Sequence, residues 1–131
     1  GLSQAVVAAV LKQWGDVGWR AHGESVRALY RRKRDAMHSS ACRHLAGLAQ
    51  WSLPKHGMFF WFDLSASGCT DSHALIRTRA VASKVLLIPG DSFAAASPTP
   101  PSPFARAAFS LASDDEMDTA LERLGTLLRS P

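Results

Sequence analysis

The stretch that most constrains this chain is Met58-Phe59-Phe60-Trp61-Phe62-Asp63-Leu64, with four aromatic residues in a row. Aromatic side chains favour the pleated, half-buried surface of a sheet, so the run predicts a strand. Alternation along a strand puts Met58, Phe60, Phe62 and Leu64 on one face and Phe59, Trp61 and Asp63 on the other. Both faces are large and apolar, which predicts a central strand covered on both sides. A chain of 131 residues with 47% hydrophobic and 20% charged content can build the single core that such a strand needs. No apolar run approaches the ~20 residues needed to span a bilayer.

A second apolar run, Pro103–Leu111, carries one charge at its centre, Arg106. Strand alternation places Phe104, Arg106 and Ala108 on one face and Ala105, Ala107 and Phe109 on the other. A guanidinium cannot shed its charge, so burying it without a partner is costly. Its planar fork suits a carboxylate held by two parallel hydrogen bonds. Two readings follow: Arg106 meets an anion brought from elsewhere, or it sits at an exposed strand end or pairs with a local Asp or Glu.

From the N-terminus, Ser3 or Gln4 opens an apolar helix over 5–14 that ends at Gly15. Asp16 can cap a second helix reaching Leu48, with Val26, Leu29, Tyr30, Met37, Ala41, Leu45 and Leu48 as one apolar stripe. Such a helix is about 45 Å long, too long for the rest of the chain to cover. Arg27, Arg31, Arg32, Lys33 and Arg34 spread around that helix without interleaved aromatics, which predicts a solvated face and no nucleic-acid partner. Cys42 and Cys69 have no close spacing and read as free thiols. His38 and Cys42 share a helix face, but His44 points elsewhere and no fourth ligand is evident, so no metal site is expected.

After Gly47 the pattern turns to β. Short strands are expected at 51–53, 58–64, 85–88 and 104–109, with a helix from Thr70 or Asp71 to about Ser83. Asp91–Ser102 reads as an irregular loop, and Ser113-Asp114-Asp115-Glu116 opens a last helix lined by Met117, Leu121, Leu124, Leu127 and Leu128. The expected fold class is α+β: a two-layer sandwich of a small, mostly antiparallel sheet with packed helices, preceded by a long helix.

Taken in order, several of these residues resemble the C-terminal part of class I, fold-type I aminotransferases that use pyridoxal 5'-phosphate (PLP), and most nearly the kynurenine/α-aminoadipate group. They are Gln4, Trp14-Gly15, His22, Tyr30, Lys33-Arg34-Asp35-Ala36, Gly57–Trp61, Val85–Gly90 with Phe93, Ser102–Ser110 and Met117-Asp118. The resemblance implies that residues 1–15 end a large domain, 16–48 form an interdomain helix and 49–131 form the small domain. It implies that Arg106 binds the α-carboxylate of a 2-amino or 2-oxo acid, with Gly90 and Phe93 near the active-site mouth. It also implies a homodimer when full length, in cytosol or mitochondria. The lysine that holds PLP, the Asp at its ring nitrogen and the phosphate-binding groups fall before Gly1 in that family. No catalytic residue and no bound PLP are therefore expected in this segment, which opens without Met and reads as a cut from a longer chain. Ser83-Lys84 before Pro89-Gly90 imitates the family's cofactor-lysine stretch, but Asp91-Ser92 stand where an Arg belongs. Lys84 is thus expected as a surface or helix-end lysine. The alternative from another class is a stand-alone, non-catalytic interaction module with the same fold.

Overall fold

The structure, a computed structural model, describes residues 1–95 and 99–130. The loop expected over Asp91–Ser102 falls in part on residues 96–98, outside the described residues. The chain divides into two units, Gly1–Arg32 and the residues from Lys33 onward.

The first unit is helical and belongs to α1 (Leu2–His44), which is interrupted at Gly15 with φ 57° and ψ −170°. Only glycine adopts that backbone without strain, so the break falls where the sequence placed it. Beyond it, a Cβ on Gly18 would stand 2.8 Å from Cβ of Trp14. The Trp14 and Trp19 rings lie 4.8 and 6.3 Å from that of His22. Leu2, Val6, Val7, Val17, Trp19 and Leu29 are exposed.

In the second unit three strands form one antiparallel sheet: β1 (Phe59–Asp63), β2 (Ile88–Pro89) and β3 (Phe104–Ala108), in the order β1-β3-β2. Phe60 opposes Ala107 and Phe62 opposes Ala105, while Arg106 sits between Trp61 on one side and Ile88 on the other. Phe60, Phe62, Leu64, Ala105, Ala107 and Phe109 are buried on one face, with Met37 and Ala41 of α1, Leu45 just past its end, and Met117, Leu121, Leu124 and Leu128 of α3 (Asp114–Arg129). The Phe60 ring stacks on Phe62 and meets Phe109 edge-on, at 5.6 and 5.8 Å. This is the expected two-layer α+β arrangement.

The aromatic run nevertheless takes a different place in it. β1 is an edge strand; β3, with its small alanines, is central. Phe59 and Trp61 are each 40% exposed, so only one face of β1 is covered. The strand expected at 51–53 is reduced to a single bridge between Gln50 and Asp63. That expected at 85–88 pairs only at Ile88–Pro89, because Pro89 has no N–H to extend a ladder and the Gly90 turn follows at once.

α3 opens with the expected capping box: Ser113 Oγ accepts from Glu116 N–H, and the Glu116 carboxylate accepts from Ser113 N–H. Met117, Leu121, Leu124 and Leu128 are buried as expected, and Leu127 is half-buried. Gly125 lets this helix press on the end of α1, where a Cβ would stand 2.5 Å from the His44 carbonyl oxygen. Asp71 caps α2 (Ser72–Leu75), accepting from the N–H groups of His73 and Ala74 at 3.0 and 3.1 Å. The helix continues as a π turn over Ile76–Ala80, a wider coil than the expected α-helix. It ends at Lys84, whose φ of 59° is left-handed, with Lys84 N–H bonded to Val81 O and Val85 N–H to Ala80 O. Those two bonds are a Schellman ending with Lys84 in the position glycine usually takes. α1 likewise stops at His44, short of the expected Leu48, at a turn containing Gly47 with φ 75°.

Candidate functional site

The uncovered face of the sheet gathers Phe59 and Trp61 from β1, Ile88 from β2 and Phe104 and Arg106 from β3. Trp61 stacks on its neighbour Phe104 with ring centroids 5.8 Å apart, and Phe93 meets Trp61 edge-on at 5.3 Å. Arg106 lies among these rings. Its Cζ stands 4.1 Å from the centroid of Phe59 and 4.7 Å from that of Phe93. One ring comes from β1 and the other from the turn after β2, the two strands that flank β3. Ring faces attract a cation by their negative quadrupole and leave the N–H edge of the fork for other partners. Among the described residues no carboxylate lies within salt-bridge distance of Arg106. The local-pair reading thus finds no partner among the described residues; the guanidinium is half-buried and seated on rings.

Phe93 reaches this position from a one-turn 3-10 segment, Gly90–Phe93, rooted by close contact. A Cβ on Gly90 would stand 2.6 Å from Ser102 Oγ and 2.8 Å from both Cβ and O of Phe104. Ser72, fully buried, ties the root down: its Oγ donates to Phe104 O at 2.6 Å and accepts from Gly90 N–H at 3.3 Å. The structure thus brings Gly90, Phe93 and Arg106 together around β3. It adds Ser72 and, from the strand expected to be covered on both sides, Phe59 and Trp61. A pairing between positions 18 and 32 apart leaves no local pattern, so Ser72 carried no signal beyond its place in a helix start.

The remaining candidates have ordinary partners. Lys33 does not join a solvated face; it is buried, with Nζ donating to Ala112 O at 2.5 Å. Lys84 is exposed at its helix end, and Lys12 and Lys55 are exposed too. His38 Nδ1 accepts from Trp51 Nε1 at 3.1 Å, while Cys42 Sγ lies 3.8 Å from His38 Nε2. His44 Nε2 meets Asp118 Oδ1 at 2.9 Å. Among the described residues no three His, Cys, Asp or Glu side chains cluster as metal ligands. Burial pushes the Cys69 thiol above its ordinary range, away from thiolate chemistry.

No helix among the described residues is long and apolar enough to cross a membrane. No protein-family model matches the chain. It is 41% identical over 128 residues to the mouse kynurenine/α-aminoadipate aminotransferase, mitochondrial, covering 98% of this chain and 29% of that protein. It is 34% identical to the aminotransferase tdiD of Emericella nidulans, over 96% of this chain and 28% of that one. Among solved structures, the α-aminoadipate aminotransferase LysN of Thermus thermophilus, complexed with N-(5'-phosphopyridoxyl)-L-leucine, superposes with a TM-score of 0.83 and 28% identity. That match covers 98% of this chain and 31% of LysN. The chain thus spans less than a third of the relatives it matches, and lies at their C-terminal end.

Proposed function

We propose that this chain, which aligns with the C-terminal part of kynurenine/α-aminoadipate aminotransferases, is the segment of such an enzyme that receives the substrate's α-carboxylate, on Arg106. The observation that supports this is a half-buried guanidinium between two rings with no carboxylate of its own among the described residues. The rings occupy the guanidinium without satisfying its N–H groups. A planar carboxylate arriving at the free edge makes two charge-assisted hydrogen bonds, and the surrounding aromatic surface limits competition from water. A 2-amino acid and a 2-oxo acid carry the same group, so one arginine serves both halves of an amino-group exchange. Held there, the substrate has its α-carbon fixed relative to the rest of the enzyme.

In the full-length enzyme PLP supplies the electron sink for that exchange. Of the lysines of this chain, Lys33 is bound to the Ala112 carbonyl, Lys84 closes a helix, and Lys12 and Lys55 are exposed. In this reading the cofactor is held by residues outside this segment, residues 1–15 and 16–48 belong to a large domain and an interdomain helix, and the complete enzyme is an intracellular homodimer.

The decisive test is Arg106→Ala and Arg106→Lys in the full-length enzyme. Lysine keeps the charge but loses the fork, so both variants lower kcat/KM for the amino donor and the oxo acceptor. Loss of a charge-assisted pair of this kind predicts a drop of about thirty-fold or more for alanine. Cofactor absorbance stays as it was. A structural arginine would instead lower the melting temperature and leave kcat/KM of the folded enzyme unchanged, which would end the proposal.

A further inference from the structure

The turn that brings Phe93 to Arg106 is also held from the other side. His73, in the first turn of α2, places Nδ1 2.6 Å from Oδ2 of Asp91, the second residue of the Gly90–Phe93 turn. A carboxylate only accepts, so Nδ1 carries the hydrogen and donates it. The Asp91 side chain is 19% exposed, and its other oxygen, Oδ1, is shut off from solvent and meets no donor among the described residues. An enclosed carboxylate with one oxygen unanswered leans heavily on the bond to the other. The histidine end is itself fixed, since its backbone N–H donates to the Asp71 cap and Ser72 beside it holds Gly90 and Phe104. Two residues further along the turn from Asp91, Phe93 lies against the guanidinium.

We propose that His73 is a positioning residue for the Arg106 site: through Asp91 it fixes the Gly90–Phe93 turn so that the Phe93 ring stays seated on the guanidinium. The inference rests on Arg106 as the carboxylate receptor. Without the His73 hydrogen bond, Asp91 turns toward water and draws the short turn with it. Phe93 then leaves Arg106 hydrated and free to change rotamer. The effect falls on substrate capture, because neither His73 nor Asp91 touches the reacting atoms.

The test uses the full-length enzyme and four variants: His73→Leu, His73→Asn, Phe93→Ala and the double variant His73→Leu/Phe93→Ala. Asparagine offers an amide N–H close to where Nδ1–H stood; leucine offers none. Hydrogen exchange of the peptide spanning residues 88–95 rises in His73→Leu and returns to the parent level in His73→Asn. KM for amino donor and oxo acceptor rises by about tenfold in His73→Leu, the loss of one charge-assisted hydrogen bond. It recovers in His73→Asn, with kcat within about twofold in both His73 variants. The double variant has the KM of Phe93→Ala, because both changes remove the same contact. Unchanged exchange in His73→Leu, or additive effects in the double variant, overturns the inference. So does an unchanged KM in His73→Leu when Arg106→Ala lowers kcat/KM. If Arg106→Ala itself leaves kcat/KM unchanged, the carboxylate reading fails and this inference falls with it.

Discussion

The two faces of the sheet are built from neighbouring residues of the same strands and carry comparable aromatic content, yet they end in opposite states. Phe60, Phe62 and Phe109 are all but sealed from solvent beneath α1 and α3. Phe59, Trp61 and Phe93 retain 40, 40 and 46% of their surface and surround a permanent cation. On the first face the rings contribute through the water they exclude. On the second they shape the surroundings of one guanidinium and lower its access to solvent. An aromatic run thus fixes that a strand forms; which of its faces becomes core depends on where the helices lie.

The most severe way to break this contrast is Phe60→Ala. Emptying that site removes a fully buried ring and leaves a cavity, so the unfolding free energy falls by about 3–5 kcal/mol. Trp61→Ala, one position along, costs about 1–2 kcal/mol because much of its surface never left water. Urea midpoints on the two variants check the order, and equal losses would mean that the second face is covered as well as the first.

A smaller effect separates the faces by pH. The helices over the covered face are tied by Asp118 of α3, whose Oδ1 accepts from Ser40, from Arg43 at 2.6 Å and from His44 at 2.9 Å. The Ser40 hydroxyl first, then Arg43 and His44, hold this carboxyl well below its ordinary value of 3.8. A carboxyl depressed in the folded state contributes stability above its unfolded value and loses it as pH falls through the folded one. The contribution is therefore full at neutral pH and fades below pH 3.8. It is modest, because the side chain is 40% exposed to screening solvent. Melting temperatures of the parent and Asp118→Asn differ at pH 7 and converge as the solution is acidified, whereas a parallel pair of curves would exclude Asp118 as the source. The smallest change points the other way: Lys84→Gly relieves a left-handed backbone and raises stability by about 0.5–1 kcal/mol. Calorimetry that finds it destabilising would show that the lysine side chain matters at that helix end.

Much of this organisation was legible before any coordinates. The period of two across Phe104–Phe109 sorted Arg106 from the buried alanines, and Ser113 with Glu116, Asp71 and Gly15 marked helix boundaries through local chemistry. Three of the missed features depend on partners distant in sequence. β1 reads as central because its residues are apolar on both sides, but whether a second strand flanks it depends on segments far away in the chain. Lys33 looked solvated among four arginines, yet the Ala112 carbonyl, 79 positions on, draws it inward. His73 and Asp91 each look like helix-start or loop polar residues until the fold closes the 18 positions between them.

Gly90 has a consequence for how this segment can change over generations. No side chain fits at that point without displacing backbone atoms of β3, so the foot of the turn is frozen. Ser102 and Phe104, which crowd Gly90, hold that foot against β3, and Phe93 keeps its registration with Arg106. On the proposed reading of Arg106, a family that grips the same carboxylate in acids with different side chains gains from that: the foot that registers the ring on the guanidinium is inherited rigidly.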